Sequence, residues 1–430
     1  MLRDDDDVVR MLAPSEQRFV RHGTYTGRSV SVVGELNIDA LRSAFTALQQ
    51  SYPVMTCRIV QDAAGRGYLL SRGRRPPVGV WASLGDPDAV RLPAGPIDPA
   101  GRLVYVDLTL SEVGRSRITL FAHHSIADAG HCVELLSRLW DHYTDFVESG
   151  TTTVVPHDYP RPLEWYAAAR GVSRNERSGF EAVARPLAAQ ERSFPADPAD
   201  PAPSALMRPR RAVLDQAPTT RIIGLGRHRG VTVNGLVTAA LLRAYAAEKG
   251  VASNELTGEP VPVGCLYPVD MRSRLTPPVP AAAGTNMAGL ASFAADVDIS
   301  AGVIPLARQI SSRLHHDLAE GVTQQSVLHF PDFFGPTRVH SLAGHVAVTN
   351  TGVVPTFRVP PNIELVDYEI VYLSAHPRPT AGSGAVVTFL VYTFTGRLTV
   401  GLLGGGPDAD RLLAAVRKEL TALSEESVGG

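Results

Sequence analysis

The stretch "LFAHHSIADAG" (120–130) sets two adjacent histidines, His123 and His124, ahead of an acid, Asp128, at the junction of a strand-like run and a helix-like run. Such residues suit metal binding, acid–base catalysis or plain packing. A neutral imidazole, with an ordinary pKa near 6.5, can take a proton at neutral pH, and at a strand end in a cleft it makes a general base. In "SRITLFAHH" the two-residue period of a strand puts Ile118, Leu120, Ala122 and His124 on one face. Thr119, Phe121 and His123 take the other. The two rings therefore point opposite ways, which disfavours one ion held by both. A zinc site would also need third and fourth ligands at known spacing, and the sequence offers none, so no metal is expected. Asp128 either orients the imidazole or is a buried carboxylate paired with an arginine elsewhere. For any single histidine on an apolar strand, packing stands beside catalysis.

Other catalytic patterns are missing or weak. There is no G-x-S-x-G elbow and no phosphate-binding Walker loop. "GLGRHRG" (224–230) has the spacing G-x-G-x-x-x-G and sits inside a helical pattern, whereas a dinucleotide loop follows a strand. "HHD" (315–317) lies beside the apolar stripe of an amphipathic helix and reads as surface.

The elements that must position the histidines follow from periodicity. Strands fit "RSVSVV", "CRIVQD", "RLVYVDLTLSE" and "SRITLFAHH". "NIDALRSAFTALQQSYP" reads as a helix capped by Asn37 or Asp39, with Ile38, Leu41, Phe45 and Leu48 at helical spacing. "HCVELLSRLWDHYTDFVESG" is a second helix, with Val133, Leu136, Trp140 and Tyr143 on one face and Gly150 at its end. Near residue 190 the texture changes. "SFPADPADPAPSALMRPRR" carries prolines at 195, 198, 201, 203 and 209, which remove donors and stiffen a linker. Beyond it come helices at "APTTRIIGLGRHRG", "TVNGLVTAALLRAYAAEKG", "IPLARQISSRLHHDLAEG" and "DADRLLAAVRKEL". Strands fit "VPVGCLYPVDMRSRL", ending at Pro268, then "HVAVTN", "VVTFLVYTF" and "RLTVGLL". The expected organisation is a lobe at 1–190, a linker at 191–211 and a second lobe at 212–430. Both lobes mix strands and helices in an α/β (α+β) class.

The 430 residues are 44% hydrophobic and 20% charged, ordinary for a globular chain, and the net charge of −2 gives no field for nucleic acid. Lys249 and Lys418 are the only lysines, the other cationic residues being arginine. Local arginine patches could meet acidic or phosphorylated partners. Cys57, Cys132 and Cys265 are scattered and odd in number, which fits a reducing cytoplasm and no disulfide framework. "MLRDDDDVVR" has no apolar signal core, and no run approaches the roughly 18 apolar residues of a membrane span.

"HHSIADAG" (123–130) resembles the H-H-x-x-x-D-G signature of the chloramphenicol acetyltransferase and peptide-synthetase condensation-domain superfamily. "YPVDMR" (267–272) is similar to that superfamily's second motif, and "GELNIDALRSAFTALQQSYPVM" and "TVNGLVTAALLRA" to its helices. Within it, "YPVDMRSRLTPPVP", "GTNMAGLASF" and "DLAEGVTQQSVLHF" resemble the polyketide-associated acyltransferases, the phthiocerol/phthiodiolone dimycocerosyl transferases above all. The resemblance spans nearly the whole chain.

It implies two lobes of similar topology meeting at a tunnel, with His124 as the base that deprotonates an alcohol or amine attacking an acyl thioester. It makes His123 structural and pairs Asp128 with Arg272, so that Asp128 organises the site. The motif glycine is replaced by Ala129, with Gly130 next; the methyl would narrow the tunnel or shift the loop. Backbone N–H groups at 129–130, at a helix start, suit developing negative charge. Asn350, in "VTNTG", is a tunnel-lining candidate, and Ser125 a helix cap or incidental. The expected activity is that of an O-acyltransferase working from a carrier-protein or coenzyme A thioester, with no other cofactor, an alcohol acceptor, and a cytoplasmic monomer. An amide-forming condensation enzyme and a non-catalytic carrier-recruitment module are the competing readings.

Overall fold

The computed structural model describes residues 7–71, 79–89, 91–93, 95, 97–112, 114–186, 204–252, 259–334, 339–342, 344–376 and 385–426. In the first half the main elements are β1 (Thr24–Val33), α1 (Ile38–Ser51), β2 (Val80–Leu84), β3 (Val104–Leu110), β4 (Arg115–His123) and α2 (Ala129–Ser149). Then follow β5 (Ala205–Met207), β6 (Arg210–Leu214), α3 (Gln216–Arg229), α4 (Val233–Ala252), β7 (Val261–Asp270), β8 (Ala288–Val297) and α5 (Val303–Ala319). The chain closes with β9 (Val346–Val353), β10 (Glu364–Ser374), β11 (Val387–Phe394), β12 (Arg397–Gly404) and α6 (Ala409–Glu425).

Two six-stranded sheets carry the lobes. The first runs β2-β3-β4-β1-β10-β5, the second β6-β12-β11-β9-β7-β8. Helices α1 and α2 press Leu41, Phe45, Leu136 and Trp140 onto Val30, Ile118 and Leu120 of the first sheet. The amphipathic spacing of α1 and α2 thus meets the alternating face of β1 and β4, which buries both. Asn37, rather than Asp39, caps α1: its Oδ1 accepts from the Ala40 N–H at 3.0 Å. In the second lobe, Leu236, Leu241 and Leu242 of α4 join Val348, Phe389 and Val400 in a separate core. A third cluster, including Phe180, Met271, Met287 and Phe330, packs beside the junction of the two motifs.

The sheets do not follow the division expected from the sequence. β10 belongs to the second half of the chain, yet it pairs antiparallel with β1 of the first sheet, with Ile370 opposite Arg28 and Tyr372 opposite Thr26. The prolines at 195, 198, 201 and 203 lie outside the described residues. Within the described part of the expected linker, β5 pairs with β10 and β6 starts at Arg210 against β12. Backbone pairing overrides sequence proximity here, because β1 offers a free ladder edge that β10 satisfies. The second-motif strand also runs past Pro268 to Asp270. β7 pairs with β8 over its whole length but with β9 only at Cys265 and Leu266. At Pro268 the strand has parted from β9, so the missing N–H leaves no broken ladder bond on that side.

Candidate active site

β4 ends at His123, and the five residues 124–128 carry the chain into α2. The alternation expected along β4 is present. Ile118, Leu120 and Ala122 face the helix-covered core, while Phe121 joins Tyr25 and Tyr105 on the opposite face. His123 is wholly buried with its ring edge-on to Tyr25, centroids 5.0 Å apart. Its Nδ1 accepts from the Ser125 N–H, and burial pushes its pKa down to about 3. His124 turns the other way and lines a cavity of about 690 Å³ whose walls come from both lobes.

The His124 ring has a stacking partner and a hydrogen-bond partner. Phe19 stacks on it at 4.1 Å with planes 17° apart. Nδ1 lies 2.9 Å from the Ala127 carbonyl oxygen, which can only accept, so Nδ1 carries the proton and Nε2 keeps its lone pair. The Asn286 side-chain amide donates to the His124 carbonyl at 3.2 Å, and its Oδ1 accepts from Arg18. Burial, then the nearby charge of Arg18, lowers the His124 pKa to about 4, so the ring is neutral at physiological pH.

Asp128 does not touch the imidazole. Its Oδ1 caps α2 by accepting from the His131 N–H at 2.9 Å. Its Oδ2 accepts from Arg272 at 2.7 Å and from the Met287 N–H at 2.8 Å. With both members of the ion pair buried, the guanidinium and these N–H donors more than offset desolvation and hold the carboxyl at about 2. Arg272 also reaches Asp270 and the Thr285 carbonyl, so the pair ties α2 of the first lobe to β7 and the 284–287 segment of the second. Ser125 is not a cap: its hydroxyl donates to the Glu16 carbonyl, leaving Asp128 as the N-cap of α2.

Ala129 and Gly130 open α2 on the cavity wall. A Cβ at Gly130 would lie 3.4 Å from the Arg272 guanidinium and 3.6 Å from the Asp128 carboxylate, ordinary contact distances, so Gly130 sits against the ion pair. The Ala129 methyl, one position earlier, is part of the lining. Asn350 also lines the cavity, at the bulge where β9 slips its register against β11. Both ends of its amide are engaged, with Asn234 and the Gly352 N–H. Leu266, Leu290, Phe333 and Val354 make much of the remaining wall apolar.

Among the described residues, no group of three or more His, Cys, Asp or Glu is placed to hold a metal. His315 and His316 are exposed on α5, and "GLGRHRG" lies inside α3 up to its cap. The three cysteines are buried and free. No helix among the described residues is long and apolar enough to cross a membrane. Phe19, Asn286, Arg18 and Arg28 are site residues that sequence reasoning passed over. Only Asn286 had a signal, through the "GTNMAGLASF" resemblance.

The chain is similar to known proteins over nearly its full length. Residues 203–403 match the family model described as phthiocerol/phthiodiolone dimycocerosyl transferase C-terminus. A phthiocerol/phthiodiolone dimycocerosyl transferase of Mycobacterium sp. (strain JLS) is 31% identical, the match covering 93% of this chain and 91% of that protein. The solved structure of polyketide synthase associated protein 5 from Mycobacterium tuberculosis superposes with a TM-score of 0.78 at 27% identity, covering 98% of this chain and 99% of that one. The first condensation domain of the calcium-dependent antibiotic synthetase shares the fold, with a TM-score of 0.62 at 17% identity over 98% of each chain. A mixed α/β chain of two condensation-type lobes, with its two motifs meeting at a shared cavity, belongs to the phthiocerol/phthiodiolone dimycocerosyl transferase family of acyltransferases.

Proposed function

We propose that this protein is an O-acyltransferase that moves a fatty or polyketide acyl chain from a thioester, on an acyl carrier protein or coenzyme A, to an alcohol. The observation that carries this reading is the His124 imidazole. Its Nδ1–H is fixed on the Ala127 carbonyl, and the ring lines a largely apolar cavity between the lobes. Nε2 takes the proton of the acceptor hydroxyl as its oxygen attacks the thioester carbonyl. The tetrahedral oxyanion forms beside the start of α2, where the N–H groups of Ala129 and Gly130 are suited to receive it, with Asn350 on the facing wall. Collapse expels the thiolate, which recovers the proton from the imidazolium, so no covalent enzyme intermediate and no further cofactor is needed. Asp128 and Arg272 hold the turn in place, and His123 fills the core behind it. The relatives' name specifies mycocerosyl groups and phthiocerol or phthiodiolone; only the class, acyl chain to alcohol, is carried over here. The intact base argues for catalysis over a role in carrier recruitment alone.

The test is thiol release from an acyl thioester donor with alcohol present, the product checked as ester by mass spectrometry. His124→Ala is expected to lower turnover by roughly 10²- to 10⁴-fold, the usual worth of a general base. Turnover equal to that of the unmutated protein would remove His124 from the chemistry, and an amide product when amine acceptors are supplied in place of the alcohol would favour the condensation-enzyme reading.

A further inference from the structure

Arg28 stands in the middle of β1, between Leu120 of β4 and Ile370 of β10, and lines the same cavity as His124. Its residue is 1% exposed. One terminal nitrogen donates to the Thr26 hydroxyl at 2.7 Å and to the Gly27 carbonyl at 3.2 Å, while its Nε is buried with no acceptor. Among the described residues no carboxylate forms an ion pair with it. Other arginines of the chain differ: Arg117 and Arg208 both pair with Glu369, and Arg272 pairs with Asp128. Arg18, also on the cavity wall, packs over Phe19 and Phe330 and likewise makes no ion pair among the described residues. A guanidinium has five donors, and burying one without a counter-ion costs folding free energy. Asp128 and Asp270 also line the cavity, but both are taken up by Arg272, and Leu266, Leu290, Phe333 and Val354 make other parts of the wall apolar, so Arg28 and Arg18 offer an anion a place beside an apolar surface.

We propose that Arg28, flanked by Arg18, is the specificity-determining residue of this cavity and binds a carboxylate borne by one of the two substrates. The proposal rests on the acyl-transfer reading for its substrates. It defines their class: a long apolar chain carrying one acid group remote from the reacting carbonyl or hydroxyl. The carboxylate could belong to the acyl donor or to the alcohol acceptor, and the experiment separates the two.

The intact chain is titrated calorimetrically with octanoyl-N-acetylcysteamine and its ω-carboxylate counterpart as donor probes, and with octanol and ω-hydroxyoctanoate as acceptor probes. One acid is expected to bind roughly 10- to 100-fold more tightly than its neutral partner, as a charge-assisted hydrogen bond allows, and the pair that shows it identifies the substrate bearing the charge. Arg28→Met and Arg28→Gln should collapse that ratio toward unity, and Arg28→Lys should keep most of it. The ratio of the unmutated chain needs no variant, so a misfolded substitution does not spare the proposal. Equal binding of acid and neutral probes in both pairs overturns it, as does a ratio that survives Arg28→Met. The His124→Ala protein should keep the ratio while losing turnover, so failure of the base assignment and failure of the carboxylate site are read separately.

Discussion

His124 and Asp128 stand four residues apart and do different work. The imidazole is poised by neutral contacts, a stacked Phe19 and the Ala127 carbonyl, so removing it leaves no charge behind. The carboxylate is buried with Arg272 and also satisfies two backbone N–H groups. Asp128→Ala therefore leaves the buried Arg272 guanidinium with only the half-exposed Asp270 as counter-ion, and uncaps α2. Breaking such a pair costs about 3–5 kcal/mol, with about 1 kcal/mol more for the cap. Urea midpoints should fall far more for Asp128→Ala than for His124→Ala; matching midpoints would mean the ion pair contributes little to the fold. Period-two alternation anticipated that His123 and His124 face opposite ways, but β4 ends at His123 and it is the turn that aims His124 into the cavity. Phe19, Asn286 and Arg28 were not legible in that way. They reach the histidine from distant segments, and nothing in their local spacing marks a side chain that meets the site only after folding.

At the scale of elements, the first sheet depends on β10 closing the open side of β1. Gly27 sits in β1 between them. A Cβ there would stand 2.6 Å from a Val371 methyl and 2.9 Å from the Phe121 ring, in a cluster that also holds Tyr25 and Leu373. Gly27→Ala is expected to cost about 1–3 kcal/mol through overpacking, visible as a lower urea midpoint with an unchanged m-value. A midpoint equal to that of the parent would show that the β4–β1–β10 seam yields easily. Helices α1 and α2 were readable because their apolar stripes repeat every three to four residues. β10 was not read at all: its sequence "ELVDYEIVYLS" interleaves acids with apolar residues, and two of them, Asp367 and Glu369, are taken up by Arg117, Arg208 and Arg211 from elsewhere in the chain.

For the whole molecule, the two lobes enclose a polar set of groups in a poorly solvated interior, and pH reports on it. His123 is lowered to about 3, and His124 and His131 to about 4, in each case first by burial. Once unfolded, these rings return to an ordinary pKa near 6.5. Between about pH 6.5 and 4 the unfolded chain thus binds protons that the folded chain refuses, so stability falls as pH falls through that window. Asp128, held at about 2 against an ordinary carboxylate near 4, adds a further loss between those values. The melting temperature at pH 5 should lie below that at pH 7 by about 5 °C or more. A flat profile over that range would mean the buried rings are protonated in the fold, which would also deprive His124 of its lone pair.

What the sequence determined by itself was local and periodic: the helices, the strand leading into the histidines, the face each ring takes and the two motifs that carry the family resemblance. Those follow from backbone periods of about 3.6 and 2 residues and need no knowledge of partners. The resemblance already implied that Asp128 pairs with Arg272; only the tertiary structure decided which strand closes which sheet, that this pairing leaves the imidazole alone, and that Arg28 faces the same cavity without an ion-pair partner among the described residues. Strand pairing and charge pairing are choices among many distant candidates. They are made by burial and by the cost of leaving a backbone edge or a charge unsatisfied, and neither quantity exists until the chain is folded.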